Sequence, residues 1–284
     1  MHDNGLIGRF PEFIDKDGLL DVKKIATSKV HWKKVEKIKA REGNFSGVFY
    51  TKKCYDGEHD AEILLSQIFA DFIPNTAIYT PAKIGNEIGV ISNDISKDSK
   101  TMDWFLEKKS KINEKIPYIS GTCYSLEQIR FDKLFTEQGL KQYIDMHLLD
   151  VACGNIDRHV CNFNVETTNF VLPSFKKVTA VRPFDFGFSI NLLTAKEEDV
   201  EDYDFKNGLG GYSTLSRGQM INMFKTNELV QSFYTNAQMS EMIGGIDVHQ
   251  KVEDIKDAIG YEVSQDFEDK LCNSLNYVAE ELIK

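Results

Sequence analysis

Three side chains in the middle of the chain have types and spacing suited to work on a phosphate. Asp157 and Asn162 stand five positions apart in GNIDRHVCNF (Gly154 to Phe163), and Asp185 follows in RPFDFGFSI (Arg182 to Ile190). At that spacing in a loop, a carboxylate can accept or orient a substrate hydroxyl proton while the asparagine oxygen binds a hard divalent cation. Asp185 then supplies a charged oxygen to the same metal. The chemistry this suits is phosphoryl transfer, which needs an oriented hydroxyl, Mg²⁺ neutralising the triphosphate of ATP, and a cation holding the nucleotide in line.

That cation should lie on the strand before the first helix. The run FYTKK offers Lys52 and Lys53 on opposite faces of such a strand. Glu62, one turn into the following helix, is the natural ion-pair partner, with Glu58 in its place if the helix begins earlier.

The elements that must position these groups are legible in outline. VHWKKVEKIKAREGNFSGVFYTKK, Val30 to Lys53, reads as a hairpin turning at Glu42, Gly43 and Asn44. DAEILLSQIFADFI places Ile63, Leu64, Ile68 and Phe72 at helical spacing, with Asp60 as N-cap and Pro74 as stop. TAIYTPAKI and EIGVISNDI read as strands, and the polar stretch after them as a connector. The remainder reads mainly helical. SLEQIRFDKLF opens with a capping-box pattern at Ser125, KQYIDMHLLDVA carries an apolar stripe, and DFEDKLCNSLNYVAEELI closes the chain as an amphipathic helix. Between the two motifs, NFNVETTNFVLPSFKKVTAV suggests a hairpin that brings the second to the first.

These readings give an α+β fold of two lobes: a small β-rich lobe over residues 1–95 and a larger, mainly helical lobe over 96–284. The 284 residues, 42% hydrophobic and 27% charged, suffice for a sizeable core. A net charge of −10 without a long basic tract argues against nucleic acid as a direct partner. Five cysteines form no CxxC pair or histidine cluster, so reduced thiols of a cytoplasmic protein are expected. No apolar run approaches the ~20 residues of a bilayer span, which leaves no membrane partner.

The ordered pair D-x-x-x-x-N and D-F-G is the catalytic grammar of protein-kinase-like folds. GNIDRHVCNF with RPFDFGFSI resembles the HipA-like kinase family, in which a G-N-x-D-R-H-x-x-N loop precedes a P-x-F-D segment. It is also similar to the D-R-H-x-x-N and D-F-G of phosphatidylinositol kinases. The resemblance runs from about Trp32 through Ile190. It implies a bilobal protein-kinase-like fold with Asp157 as catalytic aspartate and Asn162 and Asp185 as Mg²⁺ ligands. It favours Lys52 for the ATP phosphates, through a Y-x-x-K at the strand end. It further implies a serine/threonine-protein kinase, with autophosphorylation and a small antitoxin as partner. A small-molecule or lipid kinase, or a non-catalytic nucleotide-binding module, stays open as an alternative. One departure from kinase patterns is clear: no G-x-G-x-x-G run precedes the lysine strand, and Gly43 and Gly47 frame a GNFSG turn instead.

Neighbouring residues carry plainer expectations. His159 should hold the loop through hydrogen bonds, Arg158 should make a loop-ordering ion pair, and Cys161 should pack. Gly208, Gly210 and Gly211 follow D-F-G and suit a substrate or activation segment, not a phosphate cradle. The acidic run Ala195 to Asp204 reads as a solvated face.

Overall fold

The computed structural model describes residues 14–15, 19–27, 35–42, 45–55, 57–96, 98–111, 133–155, 158–169, 176–190 and 217–284. Strand β1 (Leu20–Asp21) leads into the short helix α1 (Val22–Ile25). The expected hairpin follows as β2 (Val35–Glu42) and β3 (Phe45–Lys53), paired antiparallel. Its turn residues Gly43 and Asn44 lie outside the described residues. TAIYTPAKI and EIGVISNDI form β4 (Tyr79–Ile84) and β5 (Glu87–Asn93), also antiparallel. The sheet order is β1-β4-β5-β3-β2, with only β1 and β4 parallel.

The period of two along β3 sends alternate side chains to opposite faces. Phe49 enters a small core with Ile38, Ile84 and Ile91 and with Val22 and Ile25 of α1. Tyr50 and Lys52 face the other way, toward the rest of the chain.

Helix α2 (Glu58–Phe72) is buried on nearly every side, because it is packed both under the sheet and against the helical part. It ends where expected: Ile73, preceding Pro74, is extended at φ −123° and ψ 101°, since proline disfavours a helical residue before it. The N-cap differs from expectation. Gly57 caps the helix and Asp60 lies inside its first turn, because the Asp60 carboxylate is bonded to a distant segment, to Tyr261 and the Ser264 N–H.

The helical part begins with α3 (Met102–Ser110), capped by Thr101. Residues 125–132 of SLEQIRFDKLF, with the capping box at Ser125, lie outside the described residues. Helix α4 (Glu137–Cys153) starts at a Thr136 cap and buries Tyr143, Ile144, Met146, Leu148, Leu149 and Val151. Between the two motifs the expected hairpin is present: β7 (Phe163–Thr167) pairs antiparallel with β8 (Val178–Pro183). With β6 (Lys100–Thr101) they make a three-stranded sheet, order β6-β7-β8. A single 3-10 turn, Gly187–Ile190, follows the D-F-G aspartate.

Helices α5 (Arg217–Thr226), α6 (Glu228–Gln231), α7 (Asn236–Gly244), α8 (Val248–Ile259) and α9 (Gln265–Ile283) complete the chain. In α9 the buried stripe Phe267, Leu271, Leu275, Val278 and Leu282 repeats every three or four residues, which is the expected amphipathic helix. The main core is continuous from α2 through α4 and β8 to α9. No helix among the described residues is long and apolar enough to cross a membrane.

Candidate active site

Lys52, 7% exposed, projects from the cleft face of β3 into a group of three carboxylates. Its Nζ lies 2.5 Å from Glu62 Oε1, 2.6 Å from Asp185 Oδ1 and 2.8 Å from Glu58 Oε1. Lys53, on the other face, pairs with Glu87 at the end of the β4–β5 hairpin. The pleat thus turns Lys52, and not Lys53, toward these three carboxylates. Burial opposes the charge on Lys52, but the pull of Glu62, Asp185 and Glu58 outweighs it and holds the ammonium well above its ordinary pKa.

The two glutamates sit on one face of α2, four residues apart, and each makes a second bond. Glu58 Oε2 accepts the Tyr55 N–H at 2.8 Å, and Glu62 Oε2 accepts the Phe186 N–H at 2.9 Å. Burial pushes Glu62 up to about 7, with Lys52 pulling it back. Sequence reasoning offered Glu58 only in place of Glu62. Both engage Lys52, because the helix starts a half-turn before Asp60.

The first motif hangs from the end of α4. Gly154 closes the helix with φ 69°, a left-handed conformation suited to a residue without Cβ, and its N–H bonds the Asp150 carbonyl. Asp157, the expected catalytic residue, lies outside the described residues together with residue 156. Arg158 is fully buried and forks onto Asp150, with Nε 3.0 Å from Oδ2 and Nη2 3.1 Å from Oδ1. Its Nη1 donates to the Asn162 carbonyl at 2.6 Å and to the Phe184 carbonyl. Arg158 therefore orders the loop, as its expected ion pair requires, and ties it to the second motif. His159 Nδ1 accepts the Cys161 N–H at 3.2 Å and its carbonyl accepts the Asn162 N–H at 2.8 Å, so the imidazole also serves the loop. Cys161 packs against the main core.

Asn162 is buried just before β7. Its carbonyl accepts the Phe184 N–H at 3.2 Å, continuing the β7–β8 ladder so that Asn162 pairs with the residue before Asp185. Asp185 itself has φ 62°, a left-handed backbone that aspartate tolerates better than most side chains. Its N–H donates to Tyr79 Oη at 3.3 Å. Burial would raise its carboxyl, but the charge and hydrogen bond of Lys52 hold it below the ordinary value. Phe186 anchors the turn from below, 4.7 Å from the Phe69 ring and 5.1 Å from the Arg158 guanidinium.

Lys52 and Asp185 form part of the wall of a cleft of about 380 Å³ between the five-stranded sheet and the β6–β7 side. Tyr50, Tyr79, Ile95, Trp104 and Phe184 give it a largely apolar and aromatic lining, with Asn93, Ser96 and Ser99 adding polar groups. That is the size and character of a small-molecule site. Carboxylate oxygens of Glu58, Glu62 and Asp185 lie within 4.8 Å of one another, a donor set that already holds one cation, the Lys52 ammonium. Oxygen donors of Asp185 and Asn162 are of the kind Mg²⁺ prefers. Gly208, Gly210, Gly211 and the acidic run from Ala195 to Asp204 lie outside the described residues.

No protein-family model matches the chain, and no curated protein sequence does. Among solved structures, the chain is similar to a proinflammatory kinase, CtkA, from Helicobacter pylori, with TM-score 0.55 and 13% identity over 93% of this chain and 98% of that one. It also aligns with the complex of the HipA and HipB toxin–antitoxin system with operator DNA from Shewanella oneidensis, with TM-score 0.46 and 12% identity. That alignment covers 90% of this chain and 65% of the other. The mixed α+β arrangement, a β-sheet in the N-terminal part followed by a helical C-terminal part, is therefore a kinase-like fold.

Proposed function

We propose that the chain is an ATP- and Mg²⁺-dependent phosphotransferase that acts on serine or threonine hydroxyls of a protein. The observation that supports this best is the convergence of Lys52, Glu62 and Asp185, from three separate elements, with Lys52 and Asp185 in the wall of one cleft and the buried Glu62 behind them. Residues 1–95 form the nucleotide-binding lobe in this reading and 96–284 the catalytic lobe.

Each residue has a distinct task. Lys52 holds the α and β phosphates, and Glu62 and Glu58 keep its ammonium charged and aimed. Asn162 and Asp185 offer oxygens to Mg²⁺, which supplies neutralisation of the triphosphate charge. Asp157 orients the attacking hydroxyl and accepts its proton. Arg158 touches no substrate and keeps the loop in register with Asp185. Catalysis is then positioning and charge compensation, with no covalent intermediate on the protein.

The test is incubation with labelled ATP and Mg²⁺, followed by detection of phosphate on the chain itself and on added protein. Wild type should transfer, and Asp157→Ala and Asp185→Ala, folded as judged by circular dichroism, should not. Full transfer by folded Asp185→Ala overturns the assignment. Thermal stabilisation by ATP without transfer from wild type would mark a nucleotide-binding module instead.

A further inference from the structure

Helix α2 carries both glutamates that hold Lys52, so whatever fixes α2 fixes the lysine. Asp60 lies two residues from each glutamate, about 200° around the helix, and faces away from the cleft. Although it stands in the first turn, where an acid is normally exposed, it is buried. A buried carboxylate must be bonded to persist. Its partners come from more than two hundred residues away: Tyr261 Oη donates to Oδ1 at 2.7 Å, and the Ser264 N–H donates to Oδ2 at 3.3 Å. The His59 ring stands edge-on to Tyr261 with centroids 6.1 Å apart. Both Tyr261 and Ser264 belong to the link between α8 and α9. At the far end of α2, Lys251 of α8 pairs with Asp71 at 2.6 Å. Helix α8 and the turn after it therefore grip α2 at both ends.

We propose that Asp60 and Tyr261 are a positioning pair through which the C-terminal segment sets the rotation of α2 and so the reach of Glu58 and Glu62 to Lys52. This rests on the reading of Lys52 as the phosphate-holding cation. Neither residue touches the cleft. Both act through the helix, so a change at Tyr261 should be felt at Lys52 although 209 positions separate them in sequence.

The experiment reads Lys52 directly. The full chain is treated with an N-hydroxysuccinimide acetate ester without nucleotide, and acetylation of Lys52 is measured by peptide mass spectrometry against the exposed Lys83. An ammonium held by three carboxylates reacts only when released. Tyr261→Phe should raise the Lys52 rate about fivefold, the scale set by one buried hydrogen bond, and Asp60→Asn should act in the same direction. The KM for ATP should rise by a similar factor. Tyr234→Phe is the control, because it removes another Tyr–Asp hydrogen bond, Tyr234 to Asp145, away from α2. It should leave Lys52 unchanged. An unchanged Lys52 rate in Tyr261→Phe, or an equal rise in Tyr234→Phe, overturns the proposal. The acetylation readout needs no phosphate transfer, so failure of the kinase reading is detected separately, as absence of any ATP effect on Lys52 in wild type.

Discussion

Arg158 and Asp150, eight residues apart and both without solvent contact, form a forked ion pair beside the turn from His159 to Asn162. The arginine Nη1 donates to the carbonyls of Asn162 and Phe184, one from each motif. Removing either charge strands the other in the interior. Arg158→Met or Asp150→Asn should therefore cost about 3–5 kcal/mol of stability by urea denaturation. Arg158→Lys should recover little, because a compact ammonium cannot fork onto Asp150 and reach both carbonyls. A loss below about 1 kcal/mol for Arg158→Met would show that this pair does not organise the loop.

Glycine at position 187 answers to Glu58. A Cβ there would stand 2.5 Å from Glu58 Oε1 and 2.6 Å from Glu58 Cγ, so the glutamate must leave Lys52 to admit it. Gly187→Ala should cost about 1–3 kcal/mol, the usual range for overpacking. The cost should shrink when Glu58→Ala is added, since the clash and the carboxylate go together. Thermal unfolding of the four proteins in this cycle gives the coupling. Simple additivity would mean that the chain yields elsewhere.

At Asp185 backbone and charge can be separated. Its φ of 62° is a conformation that asparagine also tolerates, whereas alanine does not adopt it readily. Asp185→Ala should be less stable than Asp185→Asn by about 1 kcal/mol, the scale of left-handed strain in a residue with an ordinary side chain. Neither variant should gain the Mg²⁺-dependent part of its thermal stabilisation by ATP. Equal stability of the two would remove the backbone argument, and retained Mg²⁺ dependence would remove the charge argument.

What the sequence disclosed depended on the range of the interaction. Hairpins, the α2 and α9 helices and the lysine strand follow from periods of two and 3.6 and from turn residues, all local signals. The D-x-x-x-x-N and D-F-G segments were legible because the two occur in order across a hairpin, a pairing that single loop residues do not produce. The second bond of each glutamate was not, since it depends on where Tyr55 and Phe186 come to rest. Asp150 reads in the sequence as one polar residue on an otherwise apolar helix stripe, and only the fold supplies Arg158 to it. Asp60 misled for the same reason: an acid in the first turn looks like a cap until Tyr261 arrives from the far end of the chain. Arg217 went unnoticed too. It is buried against the last turn of α4, donating to the carbonyls of Val151 at 3.1 Å and Ala152 at 2.9 Å, and its sequence neighbourhood gives no hint of that. Glu58, offered only in place of Glu62, could have been kept beside it, since i and i+4 on one helix face meet the same neighbour.

If Lys52 holds the nucleotide as proposed, Glu62 should link stability and nucleotide binding with opposite signs. Burial pushes its pKa up to about 7 against an ordinary 4.5, with Lys52 pulling it back, so between those values the folded chain should bind more proton there than the unfolded chain. Stability falls with rising pH wherever the folded state binds more protons, so this group's contribution is fully present below the unfolded value and is lost as pH climbs toward 7. Its ionised form is the one that draws the Lys52 ammonium. ATP affinity should therefore rise over the same window in which the stability contribution declines. Comparing wild type with Glu62→Gln cancels the titration of ATP itself. From about pH 5 to pH 8, the affinity difference should grow and the stability difference should move against wild type. Parallel pH profiles for the two proteins would show that Glu62 does not titrate in this range, and that its carboxylate stays paired with Lys52 throughout.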